Sequence, residues 1–290
     1  MFTGVITALV TPFRNGKLDE GSLRKLVNDQ IAKGVDGLVP CGTTGESPTL
    51  DVQEHLRVIQ VVIEETRKRV PVIAGTGANA TSEAIELSLA AKRAGADGML
   101  QVTPYYNRPT QEGLFRHFEA IIKAAPLPTV LYNVPGRTGC DLLPETLERL
   151  CAIPEIVAVK EATGSIPRAQ QILARTGDRL IVLSGDDATS FSLFGLGARG
   201  CISVVSNVAP ALMSAMWDAA SAGKWSEARE LHFKLLALSD GLFVEANPIP
   251  VKAALAMMGQ IGDEIRLPLT PLSEKFKAPL HQILADLNLV

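Results

Sequence analysis

Short apolar runs rich in β-branched residues recur along the chain, at residues 4–10, 37–40, 70–74, 98–102, 129–132, 156–160, 180–183 and 201–205. They are continuously apolar rather than alternating, which is the pattern of strands buried on both faces. Each is followed by polar or glycine-containing residues and then by a helical spacing of apolar positions. Leu23, Leu26, Val27 and Ile31 predict a helix opening near Asp19. His55, Leu56, Ile59, Val62 and Ile63 predict a second, ending in the basic run Arg67-Lys68-Arg69, where positive charge suits a helix C-terminus. Gly95 stands where a helix must stop before the next strand.

Eight strand-plus-helix units in series predict an α/β protein, a (β/α)8 TIM barrel, because each parallel connection needs a crossover helix. A doubly wound open sheet is the rival, but it would place a phosphate loop after its first strand; here that position holds Thr11-Pro12-Phe13. From about residue 211 the strand pattern ends, and residues 211–221, 226–239, 251–258 and 272–287 read as helices. The division expected is a barrel over residues 1–225 and a C-terminal helical extension over 226–290. The GxGxxG run Gly195 to Gly200 precedes a strand instead of linking strand to helix, so it is not a dinucleotide site.

Composition narrows the function. With 28 basic and 31 acidic side chains the protein lacks the basic balance of a nucleic-acid binder. No apolar run reaches the ~20 residues of a membrane span, and the N-terminus does not read as a signal peptide. Cys41, Cys140, Cys151 and Cys201 are far apart, as reduced and mostly buried thiols of a cytoplasmic protein would be. His55, His117, His232 and His281 lie on helical segments without metal-ligand spacing and read as surface or interface residues. No metal is expected.

In a barrel of this kind the C-terminal ends of the strands share one face and carry the chemistry. Those ends hold Thr43 and Thr44, Tyr105 and Tyr106, Tyr132, Arg137, Lys160, and Gly185. Lys160 closes an apolar strand. A lysine there either snorkels to water or is held out of water, where the neutral amine is favoured and can attack a carbonyl carbon. Tyr132 either fills the barrel or passes protons for that chemistry. Thr43 and Thr44 are turn residues, or a cradle of N–H and hydroxyl groups for a carboxylate. Arg137 is a solvated charge, or a planar fork for a second carboxylate. Tyr106 sits on a loop tip, a place for contacts between chains.

The motifs Gly42-Thr43-Thr44-Gly45-Glu46, Tyr105-Tyr106-Asn107-Arg108-Pro109, Tyr132 to Thr138, Val159-Lys160-Glu161-Ala162 and Val244 to Lys252 closely resemble the 4-hydroxy-tetrahydrodipicolinate synthase family. It was formerly called dihydrodipicolinate synthase and belongs to the pyruvate-dependent class I aldolase superfamily, with N-acetylneuraminate lyase. The resemblance implies that Lys160 forms an imine with pyruvate, whose enamine adds to L-aspartate 4-semialdehyde in the first committed step of the diaminopimelate route to lysine. It implies Tyr132 as proton donor and acceptor, Thr43 as relay, and Tyr106 as a relay residue supplied by a neighbouring subunit. Thr44, Gly185 and the backbone around Ile202 match positions that bind pyruvate, and Arg137 matches the grip on the semialdehyde carboxylate. A homo-oligomer, dimer or dimer of dimers, follows, with no external cofactor.

Ser47, His55, Asn79, Glu83 and Tyr105 match positions lining a feedback site for L-lysine in sensitive relatives. Pro48 and Val52 depart from that pattern, so weakened or absent inhibition is expected. The alternatives are another pyruvate-dependent aldolase, such as N-acetylneuraminate lyase, and a catalytically idle ligand-binding barrel. The lyase typically shows Gly-Ser-Thr-Gly-Glu at the first motif; Thr43, Arg137 and Tyr106 together favour the synthase.

Overall fold

A computed structural model describes residues 2–290. The eight expected strands are present: β1 (Gly4–Ala8), β2 (Gly37–Val39), β3 (Ile73–Gly75), β4 (Gly98–Val102), β5 (Thr129–Asn133), β6 (Ile156–Glu161), β7 (Ile181–Ser184) and β8 (Gly200–Ser203). They pair in parallel in the order β2-β1-β8-β7-β6-β5-β4-β3, and a bridge between Leu38 and Val72 joins the two ends of that row. The sheet thus closes on itself as a (β/α)8 barrel, which leaves no open edge.

The crossover helices are α1 (Glu20–Ala32), α2 (Val52–Thr66), α3 (Thr81–Ala94), α4 (Gln111–Ala124), α5 (Pro144–Leu150), α6 (Ile166–Thr176), α7 (Asp187–Leu196) and α8 (Pro210–Ser221). Asp19 caps α1 through its carboxylate, which accepts from the Ser22 amide at 3.1 Å. Gly95 ends α3 in the left-handed region at φ 92°, as its position in the sequence required. After the barrel come α9 (Trp225–Gly241), α10 (Ile249–Met257) and α11 (Glu274–Asp286). Leu235, Leu238, Leu242 and Leu255 of this part are buried in the same apolar cluster as the barrel helices, so the extension adds to the barrel's outer core.

Strand alternation divides that core in two. One set of strand residues points into the barrel, including Ile6, Ala8, Val39, Leu100, Val130, Tyr132, Ala158, Leu183 and Ile202. The other faces the helices and joins Val5, Met99, Leu131, Val159 and Cys201 to the larger outer cluster. Lys160 is two residues beyond Ala158, so it belongs to the inward set at the C-terminal mouth.

Two expectations need correction, and one element is unforeseen. The second helix ends at Thr66, and Arg67 and Lys68 turn left-handed (φ 50° and 60°), so the basic run follows the helix instead of completing it. His55 and His117 are buried, not surface residues: His55 Nε2 lies 2.7 Å from the Gly75 carbonyl and His117 Nδ1 2.9 Å from the Thr81 hydroxyl. Each sits on the inner stripe of an amphipathic helix, where a single polar contact lets an imidazole take a core position. A small hairpin, Phe13–Arg14 against Lys17–Leu18, was not anticipated, because two-residue strands carry no period. The four cysteines are free thiols, three of them buried.

Candidate active site

Tyr132 and Lys160 are directly opposite each other in the β5–β6 ladder. Adjacent registered residues point to the same face, so both enter the barrel mouth, and Lys160 Nζ stands 4.2 Å from the centre of the Tyr132 ring. Lys160 is only 6% exposed. Among the described residues it makes no ion pair with a carboxylate. One residue further along, Asn133 and Glu161 are also opposite each other but face outwards. Asn133 Nδ2 donates to Glu161 at 3.2 Å and to Asp141 at 2.9 Å, and Arg168 donates twice to Asp141 at 2.7 Å. Arg168 holds the Asp141 carboxyl below the usual carboxylate range. This outer network fixes the two strand ends behind the inward pair.

Gly185 lies under the lysine. A Cβ there would fall 3.0 Å from Lys160 Cε and Cγ and 2.6 Å from Ala162 Cβ, so the glycine makes room for the lysine stem. β7 and β8 share one registered pair, Cys201 with Ser184, while Ile202 pairs with Ile6 of β1 and points inward. Beyond it, the buried carboxylate of Asp187 accepts the Val204 and Val205 amides at 2.8 and 3.0 Å, holding the turn after Ile202. Burial pushes the Asp187 carboxyl above its ordinary value.

The Gly42–Glu46 turn follows β2. Its closing bonds are donated by the amides of Gly45, Glu46 and Ser47, not by those of Thr43 and Thr44. Thr44 is buried and Thr43 half-buried. Glu46, left-handed at φ 56°, is anchored by Lys252 Nζ at 2.5 Å and by the Arg266 amide at 3.1 Å. Lys252 also donates to the Thr11 carbonyl at 3.0 Å. The extension therefore clamps the threonine turn from behind. Asn247, just before α10, donates to Thr44 Oγ1 at 3.0 Å, and its carbonyl accepts from Arg137 Nη2 at 3.4 Å. Arg137 itself is exposed, on a single helical turn, Pro135–Thr138.

Tyr106 is not brought to the lysine within the chain. It is 90% exposed on a loop whose backbone is tied to the arginine turn, through its own amide to the Thr138 carbonyl at 3.2 Å and through Arg108 Nε to the Gly139 carbonyl at 3.0 Å. Of the residues proposed for an L-lysine site, three come together. Asn79 Nδ2 donates to the Tyr105 carbonyl at 3.2 Å, and burial, with the charge of Glu83, pushes the Tyr105 phenol up. Ser47 lies on the neighbouring β2–α2 connection and His55 in the first turn of α2, where its Nε2 is engaged by the Gly75 carbonyl. Pro48 and Val52 are exposed beside them.

Sequence reasoning gave no role to Asn247, Lys252, Glu46 or Asp187, although the first three fall in motifs that carried the resemblance. An asparagine and a lysine flanking Pro-Ile-Pro at the start of an apolar helix were the available signal.

A model of the dihydrodipicolinate synthetase family matches residues 1–287. The chain belongs to that family. A 4-hydroxy-tetrahydrodipicolinate synthase of Geotalea daltonii is 55% identical over 290 residues, covering 100% of both chains. A crystal structure of the family's enzyme from Acinetobacter baumannii, described as chloride-inhibited and complexed with pyruvate, superposes with a TM-score of 0.98 at 50% identity and full coverage of both chains. The family member from Cyanidioschyzon merolae with lysine bound superposes at 0.97, with 41% identity over 100% of this chain and 99% of the other. Family membership makes the chain a lyase, and among its described residues no helix is long and apolar enough to cross a membrane.

Proposed function

We propose that Lys160 is the amine that condenses with pyruvate, in a reaction that joins pyruvate to L-aspartate 4-semialdehyde to give 4-hydroxy-tetrahydrodipicolinate. The observation that carries this is the Lys160–Tyr132 pair, opposite in register and inward-facing, with Lys160 Nζ 4.2 Å from the centre of the Tyr132 ring. Lys160 Nζ attacks the ketone carbon of pyruvate, a carbinolamine forms, and loss of water leaves an imine. Loss of a methyl proton gives the enamine, whose carbon adds to the aldehyde of the second substrate. The semialdehyde amine then attacks the imine carbon, closing the ring and releasing Lys160. The iminium nitrogen is the electron sink, so the scheme needs no external cofactor.

Each step moves a proton, and the Tyr132 phenol, whose ring lies beside Lys160 Nζ, gives and takes it. Thr43 relays protons from Tyr132 towards Tyr106 of a neighbouring subunit, which makes the working unit at least a dimer. Thr44 and the backbone around Ile202 hold the pyruvate carboxylate. Gly185 borders the same pocket, and its lack of a side chain gives the lysine and its adduct space. Arg137, held by the Asn247 carbonyl, grips the semialdehyde carboxylate. The enzyme works in the cytoplasm, and residues 226–290 form an extension that braces the site. L-Lysine is an effector bound near Asn79, Glu83 and Tyr105, its ammonium paired with Glu83; with Pro48 and Val52 beside Ser47 and His55, inhibition is weak.

Comparing second substrates tests the reading. Turnover is expected with pyruvate and aspartate semialdehyde and not with N-acetylneuraminate. Cleavage of N-acetylneuraminate at a comparable kcat/KM would overturn it. Full inhibition at low L-lysine would overturn the weakened effector site alone.

A further inference from the structure

Asn247 is joined to both groups read above as carboxylate grips, and through different parts of itself. Its side-chain Nδ2 donates to Thr44 Oγ1 at 3.0 Å, and its main-chain carbonyl accepts from Arg137 Nη2 at 3.4 Å. The residue is 5% exposed, and its Oδ1 is buried with no donor among the described residues. The amide is thus turned with its N–H, not its oxygen, towards the threonine. That orientation has a chemical consequence. A hydroxyl carries one proton and two lone pairs. With a lone pair of Thr44 already taken by the Asn247 N–H, its O–H proton is left to donate elsewhere, and an anionic acceptor is the strongest partner it can meet. Were the amide oxygen turned to Thr44, that proton would be spent on Asn247 instead.

We propose that Asn247 is a positioning residue that sets the direction of the Thr44 hydroxyl for the carboxylate of the first substrate, while its backbone seats Arg137 for that of the second. The inference rests on the reading of Thr44 given under the proposed function. It explains why a residue of the extension is buried against the barrel mouth with an unsatisfied acceptor, an arrangement a purely structural asparagine would avoid.

The backbone and side-chain roles separate by mutation. Asn247→Asp keeps size and carbonyl, but an ionised carboxylate can only accept, so it captures the Thr44 proton and adds a charge that repels a carboxylate. Asn247→Ala removes the N–H and keeps the carbonyl. The expected result is a rise in the KM for pyruvate of about tenfold or more for Asn247→Asp and several-fold for Asn247→Ala, with the KM for the semialdehyde within about twofold in both. In a Thr44→Val chain, Asn247→Ala is expected to add little, because the two residues act through one hydrogen bond. Equal rises in both KM values, a fall in kcat with an unchanged pyruvate KM, additivity with Thr44→Val, or failure of both Asn247 variants to fold would overturn the proposal. Thr44→Val alone tells the two readings apart. If it leaves the pyruvate KM unchanged, the assignment of Thr44 fails. If it raises that KM while Asn247→Ala and Asn247→Asp do not, only the role of Asn247 fails.

Discussion

Among the described residues two lysines are buried, and both side-chain nitrogens lie over aromatic rings: Lys160 4.2 Å from the centre of Tyr132 and Lys252 4.4 Å from that of Phe13. They differ in company. Lys252, 1% exposed, is bonded to Glu46 at 2.5 Å and to the Thr11 carbonyl at 3.0 Å. Lys160 has a ring, a glycine that gives it space and no carboxylate partner among the described residues. Burial alone therefore does not mark a catalytic lysine. A buried lysine with a carboxylate at hydrogen-bond distance is committed to structure, whereas one with only a ring face and room beside it keeps its nitrogen free of such a partner.

Removing each lysine breaks the comparison most sharply. Lys160→Ala is expected to lower turnover by at least about 10³-fold, on the scale seen when a nucleophile is deleted, with unfolding by urea little changed. Retained turnover would refute the assignment. Lys252→Ala should do the reverse in kind: it leaves Glu46 as an uncompensated charge at a 1%-exposed site and costs about 3–5 kcal/mol of stability. Much of that loss should return in the Lys252→Met, Glu46→Gln double variant, read by denaturant titration. An equal loss in the double variant would show that the pair is not what the clamp depends on.

A third buried base sharpens the contrast. Burial pushes the His117 imidazole from its ordinary 6.5 down to about 4, and its Nδ1 meets only the Thr81 hydroxyl. The unfolded chain takes up this proton below about 6.5 while the native protein resists until about 4. Stability is therefore lost as pH falls through that window, by at most about 3.5 kcal/mol at about 1.4 kcal/mol for each pH unit. His117→Gln should reduce the slope of stability with pH across the window, the remainder coming from His55 and His232, which burial also pushes down; an unchanged slope would place the titration elsewhere. Arg137, exposed and held by one carbonyl, is proposed above as a cation that binds without reacting. Arg137→Ala should raise the KM for the semialdehyde by about ten- to a hundredfold, the range of a lost charged hydrogen bond, and leave imine formation with pyruvate intact. Loss of imine formation would count against this division of roles.

The barrel could be read from the chain because its strands are continuous apolar runs and their ends are marked by polar turns. The inward direction of Lys160 was not legible there, because a strand apolar on both faces does not say which face its last residue takes; the fold shows it two residues beyond the inward Ala158. What escaped was contact across the sequence. Asn247 meets Thr44 over a separation of 203 residues and Lys252 meets Glu46 over 206, so no local period relates them. His55 and His117 were misplaced for a related reason: a polar ring on an apolar helix stripe can be outside or inside, and the deciding partners, Gly75 and Thr81, are on other elements. Tyr106 was legible as an exposed loop-tip aromatic, while its proposed work depends on a second copy of the chain.

The difference between the two lysines is tested most directly by borohydride reduction in the presence of pyruvate, followed by proteolysis and mass mapping. The account predicts one pyruvyl adduct per chain, on the peptide carrying Lys160, with Lys252 unmodified and no adduct in Lys160→Ala. An adduct on Lys252 or another lysine, or none on the folded protein, would contradict it.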